Sequence, residues 1–194
     1  MESKTPRRVK RGPRVIVLTS GGIDSAVVMA VYARERRDAV GVFIDYGQPA
    51  RRSEWAAARA LAAHYAVPVR RIKLGFHLPS EKGEFLFRNA ILALTAAATT
   101  KERPLVVALG VHSGSHYYDT TPAFLDDLQR LVDGYSNGTV SIGRPLLKMN
   151  KAMIVEYARR HRVPLRLTYS CETRSGSACG ECPSCMDREA NRVR

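Results

Sequence analysis

The sequence predicts an α/β fold, a doubly wound parallel sheet covered by helices on both faces, with a C-terminal four-cysteine module. Three observations carry that prediction. Short β-branched apolar runs alternate with helical segments along the chain. The 194 residues, 45% hydrophobic and 25% charged, suit one ordinary globular domain with a real core. All four cysteines fall in one C-terminal stretch, which reads as an appended module on the same domain.

The elements follow in order. Residues 1–12 read as a flexible basic tail. Residues 15–19 (VIVLT) read as a buried first strand. A helix is expected from Asp24 to about residue 36, then a second strand over 39–45 (AVGVFID). Ser53 is placed to cap a helix reaching Tyr65. Residues 69–74 form a third strand, more polar and nearer an edge. A helix over 89–100 precedes a strand over 105–110 (LVVALG). A helix over 122–132 is closed by Gly134. Asn150 caps a helix to about His161, which stops before Pro164. The α/β domain is thus 13–165, and the cysteine segment, 166–194, packs on it.

The formal net charge of +13 favours an anionic partner: nucleotide, nucleic acid or acidic protein. The longest apolar-looking stretch, 90–98, is far short of the roughly 20 residues that span a membrane. The basic start (Arg7, Arg8, Lys10, Arg11, Arg14) precedes only a short apolar run, 15–18, too brief for a secretory signal. A cytoplasmic protein is therefore expected, with reduced thiols.

Ser20-Gly21-Gly22-Ile23-Asp24-Ser25 stands between the first strand and the first helix. Glycines let backbone amides approach an anion, the serines add hydroxyl donors, and the helix start adds partial positive charge. The string reads as a pyrophosphate cradle. Asp24 suits a helix cap or a partner of Mg2+ against the phosphates. The string is neither the Walker loop, which needs a Lys, nor the dinucleotide fingerprint.

Cys171, Cys179, Cys182 and Cys185 form C-x7-C-G-E-C-x2-C. Four thiolates in a reducing compartment match closed tetrahedral Zn2+, a structural site. An iron–sulfur cluster is the competing reading.

SGGIDS resembles the SGGxDS loop of the N-type ATP pyrophosphatases, the adenine nucleotide α-hydrolase-like fold. That resemblance implies Ser20, Gly21, Gly22, Ile23, Asp24 and Ser25 around the pyrophosphate. Together with the cysteine pattern, whose spacing resembles a known zinc pattern, it resembles the 7-cyano-7-deazaguanine synthase family over about residues 14–190. Asp45-Tyr46-Gly47-Gln48 is similar to the family's DYGQ, Arg88-Asn89 to its RN, Thr168-Tyr169-Ser170-Cys171 to its TWSC, and Cys185-x2-Arg188 to its CxxR. Lys151 opens a helix that the family also starts with Lys. The resemblance implies ATP, Mg2+ and Zn2+ as cofactors. It places Asp45, Tyr46, Gly47, Gln48, Arg88, Asn89 and Gly110 at the nucleotide site and makes Asp24, Lys151 and Arg88 catalytic. The implied reaction adenylates the carboxylate of 7-carboxy-7-deazaguanine, and ammonia displaces AMP to give an amide. A second ATP then yields the nitrile. A homodimer is implied, with no membrane partner and no required nucleic acid.

Departures cluster on the substrate side. The Cys and Arg of the family's DCR are Thr120 and Thr121, an Asn is His112, and QRH has become Gln48-Pro49-Ala50. Asp119, Pro122 and Phe124 still fit. The nucleophile is therefore open between ammonia and a protein amine on an acceptor protein, as in divergent members of antiphage operons. A tRNA-modifying ATP pyrophosphatase is a further alternative. His112 has two readings, a base for the incoming amine or a loop histidine bonded to substrate or solvent. His116 takes the second reading.

Overall fold

A computed structural model of the chain describes residues 12–35, 37–78, 80–81, 84–114 and 117–193. Residues 1–11 of the basic tail, and His116, lie outside the described residues. Along the chain run β1 (Arg14–Leu18), α1 (Ile23–Arg34), β2 (Ala39–Asp45), α2 (Arg51–His64) and β3 (Val69–Lys73). A short hairpin of β4 (Ser80–Glu81) and β5 (Glu84–Phe85) precedes α3 (Arg88–Ala98) and β6 (Leu105–Ala108). Then come α4 (Pro122–Ser136), β7 (Val140–Gly143), α5 (Lys151–Arg160) and α6 (Pro183–Ala190).

Five parallel strands make the main sheet, in the order β3-β2-β1-β6-β7. Strand side chains alternate between its faces. Val15 and Val17 join one apolar cluster with Val27 and Met29 of α1 and Ile154 and Val155 of α5. Ile16, Val42 and Val107 join another with Ala93 and Ala96 of α3 and Leu125 and Leu128 of α4. Helices therefore cover both faces, as the apolar runs of β1 and β2 demand. The polar third strand does sit at an edge. Among the described residues, no helix is long and apolar enough to cross a membrane.

Several expectations are corrected. Ser53 does not cap α2: the helix begins earlier, after Ala50, and the Ser53 hydroxyl accepts the Gly176 N–H at 2.8 Å. Gly134 does not close α4. A Cβ there would meet nothing within 4 Å, so the helix runs on and closes at Asn137 in the left-handed region, where Asn is tolerated. The strand over 105–110 ends at Ala108, although Leu109 N–H still reaches the Gly143 carbonyl at 2.8 Å. β7, the hairpin and α6 were not expected from the sequence. Asn150 does cap α5, accepting the Met153 N–H at 2.9 Å.

Candidate functional site

The strand order turns at β1, whose neighbours are β2 and β6. Chains leaving the carboxyl ends of β1 and β6 diverge there and open the crevice where such sheets bind ligands. The 20–25 string fills one side of it and residues 110–114 the other. The two sides touch: a Cβ on Gly110 would lie 3.2 Å from the Asp24 Cβ and 3.3 Å from the Ser25 nitrogen.

The loop is shaped by crowding. Gly21 has φ +80°, and a Cβ there would stand 2.4 Å from the Glu54 carbonyl oxygen. Both its conformation and its contact with α2 require glycine. Ser25 donates to the Gly22 carbonyl at 3.0 Å, and Ser20 Oγ accepts the Gly22 N–H at 3.3 Å. Gly22 is the N-cap of α1, and no side chain caps the helix. Its first amides thus face the crevice as donors for an anion. Asp24, expected as a cap or a cation partner, makes no cap.

Asp24 instead meets Lys151. Its two carboxylate oxygens accept from Lys151 Nζ at 2.8 and 2.7 Å. Lys151 is the first residue of α5, so the Asn150 cap sets its position. The Met149 carbonyl accepts both the N–H and the hydroxyl of Ser113, tying the start of α5 to the chain after β6. His112 Nε2 lies 3.9 Å from Asp24 Oδ2. Burial, with Lys151, holds the His112 pKa below its ordinary value against the pull of Asp24 and Asp187. Its Nδ1 accepts the Gly114 N–H at 3.0 Å, which assigns the ring proton to Nε2, facing Asp24. The lone pair of His112 is therefore already engaged.

The structure groups Asp24, Lys151 and His112 together but sets Arg88 in a second cluster. The Tyr46 hydroxyl meets the Arg88 guanidinium, while burial raises the tyrosine pKa. Glu54, in the first turn of α2, is pushed up to about 7 by burial against the pull of Gln48 and Arg88. Asp45 and Gln48 mostly build their own turn. Asp45 is 2% exposed, pairs with Arg71 and accepts the Gly47 N–H at 3.0 Å. Burial pushes the Asp45 pKa up, but Arg71 and the Gly47 amide outweigh it and hold the carboxyl below its ordinary value. Gln48 accepts the Tyr46 N–H at 3.0 Å and donates to Ile44 O at 3.3 Å and Glu54 Oε2 at 2.9 Å. At Gly47, φ +89°, a Cβ would overlap the His77 ring. Asn89 is occupied too: its N–H donates to Asp119 Oδ2 at 3.1 Å and its side chain to Asp119 O at 2.9 Å. Thr121 caps α4 through the Phe124 N–H at 3.2 Å, and Thr120 donates to Tyr117 O at 2.7 Å.

The Sγ atoms of Cys171, Cys179, Cys182 and Cys185 all lie within 4.8 Å of one another. Zn–S bonds near 2.3 Å in a tetrahedron put the sulfurs about 3.8 Å apart. Cys179 and Cys185 are separated by 3.8 Å. Burial opposes ionisation of Cys171, but hydrogen bonds from Thr173 and from nearby backbone amides lower its pKa to about 5. Cys185 is pushed up to about 12 by burial and the neighbouring thiols. Four thiolates so close need a cation to ionise together, and the donor set fits zinc.

The cysteine segment also touches the first site. Tyr169 N–H donates to the Gly21 carbonyl at 2.9 Å, and Ser175 Oγ to Pro49 O at 3.2 Å. From α6, Arg188 reaches Thr168 Oγ1 at 2.7 Å and Leu165 O at 3.3 Å, fixing the chain ahead of Tyr169. Sequence reading missed Glu54 and the Tyr169 contact. A carboxylate in a helix's first turn carries no distinguishing signal, and a backbone donor carries none at all.

Comparison with known proteins gives three results. Residues 14–80 and 85–192 match the model of a family described as queuosine biosynthesis protein QueC. The chain is 33% identical to a 7-cyano-7-deazaguanine synthase of Rhizobium leguminosarum, over 90% of this chain and 85% of that one. It is 30% identical to a 7-cyano-7-deazaguanine synthase of Campylobacter jejuni, over 90% and 91%. Among solved structures, NMN synthetase from Francisella tularensis aligns with TM-score 0.52 at 14% identity, over 95% of this chain and 79% of that one. A predicted subunit of tRNA methyltransferase from Methanocaldococcus jannaschii aligns with TM-score 0.56 at 15% identity, over 77% and 76%. These two likenesses concern the fold alone. It is the N-type ATP pyrophosphatase fold anticipated from the loop.

Proposed function

The chain belongs to the queuosine biosynthesis protein QueC family, ATP-dependent carbon–nitrogen ligases of the 7-cyano-7-deazaguanine synthase kind, and from that premise we propose that it adenylates the carboxylate of 7-carboxy-7-deazaguanine or a close analogue, releases pyrophosphate and passes the acyl group to an amine. The observation that carries this reading is the Asp24–Lys151 pair at the mouth of the 20–25 loop, where the crevice opens.

A carboxylate resists an amine until its oxygen becomes a good leaving group. In the first step a carboxylate oxygen attacks the α-phosphorus of ATP and the bond to pyrophosphate breaks. The amides at the start of α1 and the hydroxyls of Ser20 and Ser25 receive the departing charge. Lys151 adds a cation there, placed by the Asn150 cap. Asp24 fits a Mg2+ held mainly by phosphates and water, which supplies further charge neutralisation when bound. Its pairing with Lys151 keeps the carboxylate turned into the crevice. The four cysteines fit Zn2+ in a closed site, which supplies order and takes no chemical step.

A second reading, in which the acid joins a protein amine and stops at the amide, is favoured by the residues at the substituted positions. Thr121 is spent as a helix cap and the Pro49 carbonyl accepts from Ser175. Neither offers a cation to the acid or to a second ATP, so the geometrically demanding nitrile step loses its support. The test is pyrophosphate exchange into ATP with 7-carboxy-7-deazaguanine, followed by mass spectrometry of products formed with ammonia. Acid-dependent exchange and an accumulating amide are expected. Rapid, complete nitrile formation overturns the second reading, and absence of exchange overturns the substrate.

A further inference from the structure

We propose that Glu54 is the general base that takes the proton from the attacking amine. The inference rests on the adenylation reading above and names the residue for its second half. Glu54 stands in the first turn of α2, and its own carbonyl is the oxygen that crowds Gly21. The main chain of α2 therefore packs on the 20–25 loop, while the Glu54 carboxyl faces the turn after β2 at the carboxyl end of the sheet. Gln48 fixes one carboxylate oxygen with a 2.9 Å hydrogen bond and leaves the other to accept a proton.

Elimination supports the assignment. Asp24 has both oxygens on Lys151. Asp45 is divided between Arg71 and the Gly47 amide. Asp119 takes the Asn89 N–H on one oxygen and, at 8% exposed, is closed to an incoming amine. The free lone pair of His112 is spent on Gly114. His77, beside Gly47, is exposed. Glu54 keeps an oxygen available and is only half-buried, so an amine can reach it.

Its surroundings suit the task. Asp45, Tyr46 and Gln48 face it from the turn after β2, Arg88 from the start of α3, and Glu172 from the cysteine segment. Arg88 and Gln48 favour the ionised form, while burial, Glu172 and Asp45 oppose it, and the balance lies at about 7. A base works best when its pKa lies near the working pH.

The amine nitrogen, entering as the neutral base, bonds to the acyl carbon of the adenylate. The carbon–oxygen bond to AMP breaks, and its electron pair leaves on the phosphate oxygen. One N–H proton passes to Glu54, which becomes a neutral carboxylic acid and later releases it to water.

The experiment compares the full-length enzyme with its Glu54→Gln variant in two assays: acid-dependent pyrophosphate exchange, and amide formation from ammonia. General-base catalysis is worth about 10²–10⁴-fold. Amide formation is expected to fall by at least about 100-fold, with exchange falling far less. At a fixed concentration of free ammonia, wild-type transfer should rise with pH through about 7, as Glu54 loses its proton, and the variant should lack that limb. Hydroxylamine, a stronger nucleophile that is already a free base at neutral pH, should restore transfer in the variant. That rescue separates a missing base from a damaged fold. Equal loss of exchange and transfer, failure of the hydroxylamine rescue, or unchanged transfer each overturns the assignment. Should the wild type itself show no exchange with this acid, the substrate reading falls and takes the base with it; the other outcomes strike Glu54 alone.

Discussion

The 20–25 loop and the cysteine segment are both short glycine-containing turns, yet they are held in opposite ways. Residues 20–25 are shaped from outside. α2 presses on Gly21, Gly110 presses on Asp24, and Tyr169 bonds the Gly21 carbonyl. Residues 171–185 are shaped from within, because their buried cluster consists of Cys171, Cys182 and Cys185, with Tyr169 and Cys179 packed against it. The first region inherits its geometry from the sheet. The second makes its own by gathering four sulfurs, which fit a cation that would complete it.

The sharpest way to break this contrast is to remove that cation. Structural zinc contributes on the order of 10–16 kcal/mol in small zinc-binding peptides. Chelation, or Cys182→Ser, should melt the segment and speed amide hydrogen exchange across residues 171–190. The Tyr169–Gly21 bond should carry part of the damage into ATP affinity. A chelated protein that binds ATP as before would show two independent regions.

The reverse test comes next in size. Asp24→Ala should lower acid-dependent exchange by about 10³-fold, in keeping with the loss of a charge-positioning group. Metal content should stay near one zinc per chain, because no cysteine contact is touched. Loss of zinc from that variant would mean that the loop supports the segment.

Gly21→Ala tests the crowding itself. With φ +80° and a carbonyl at 2.4 Å from the new Cβ, the change should cost more than about 1 kcal/mol in urea denaturation. Exchange should fall with it. A neutral result would relieve α2 of its part in shaping the loop.

The smallest effect concerns acid. The folded-state pKa of Asp45 lies below its ordinary value, so its pairing stabilises the fold above the unfolded pKa of about 4. That stability is lost as pH falls through the folded pKa. Arg71→Ala should shift the acid unfolding midpoint upward by a small amount. An unchanged midpoint would mean that the Gly47 amide alone supports the carboxyl.

Much of this organisation was legible in the residues. The continuous run AVGVFID matches β2 from Ala39 to Asp45, because a strand buried on both faces leaves an unbroken apolar signature. The loop was legible because its glycines sit at a strand end. β7 was not: Val140–Gly143 has four residues, too few for a strand pattern to stand out. Gly134 misled because a glycine on an open helix face resembles a terminus. Asp24 and Lys151 stand far apart in sequence, and only a fold that brings α5 against α1 makes them partners. Glu54 was silent, since its meaning comes from burial against the turn after β2 and not from its type.

The bond from Tyr169 to Gly21 also has a meaning in time. A ribosome releases residues 20–25 early and residues 169–185 late. The Gly21 carbonyl therefore waits for nearly the whole polypeptide before its last partner arrives. A chain interrupted between the end of β7 and Tyr169 has its sheet strands and its loop sequence but lacks this latch. Completion of the polypeptide thus becomes a condition for the finished form of the 20–25 loop.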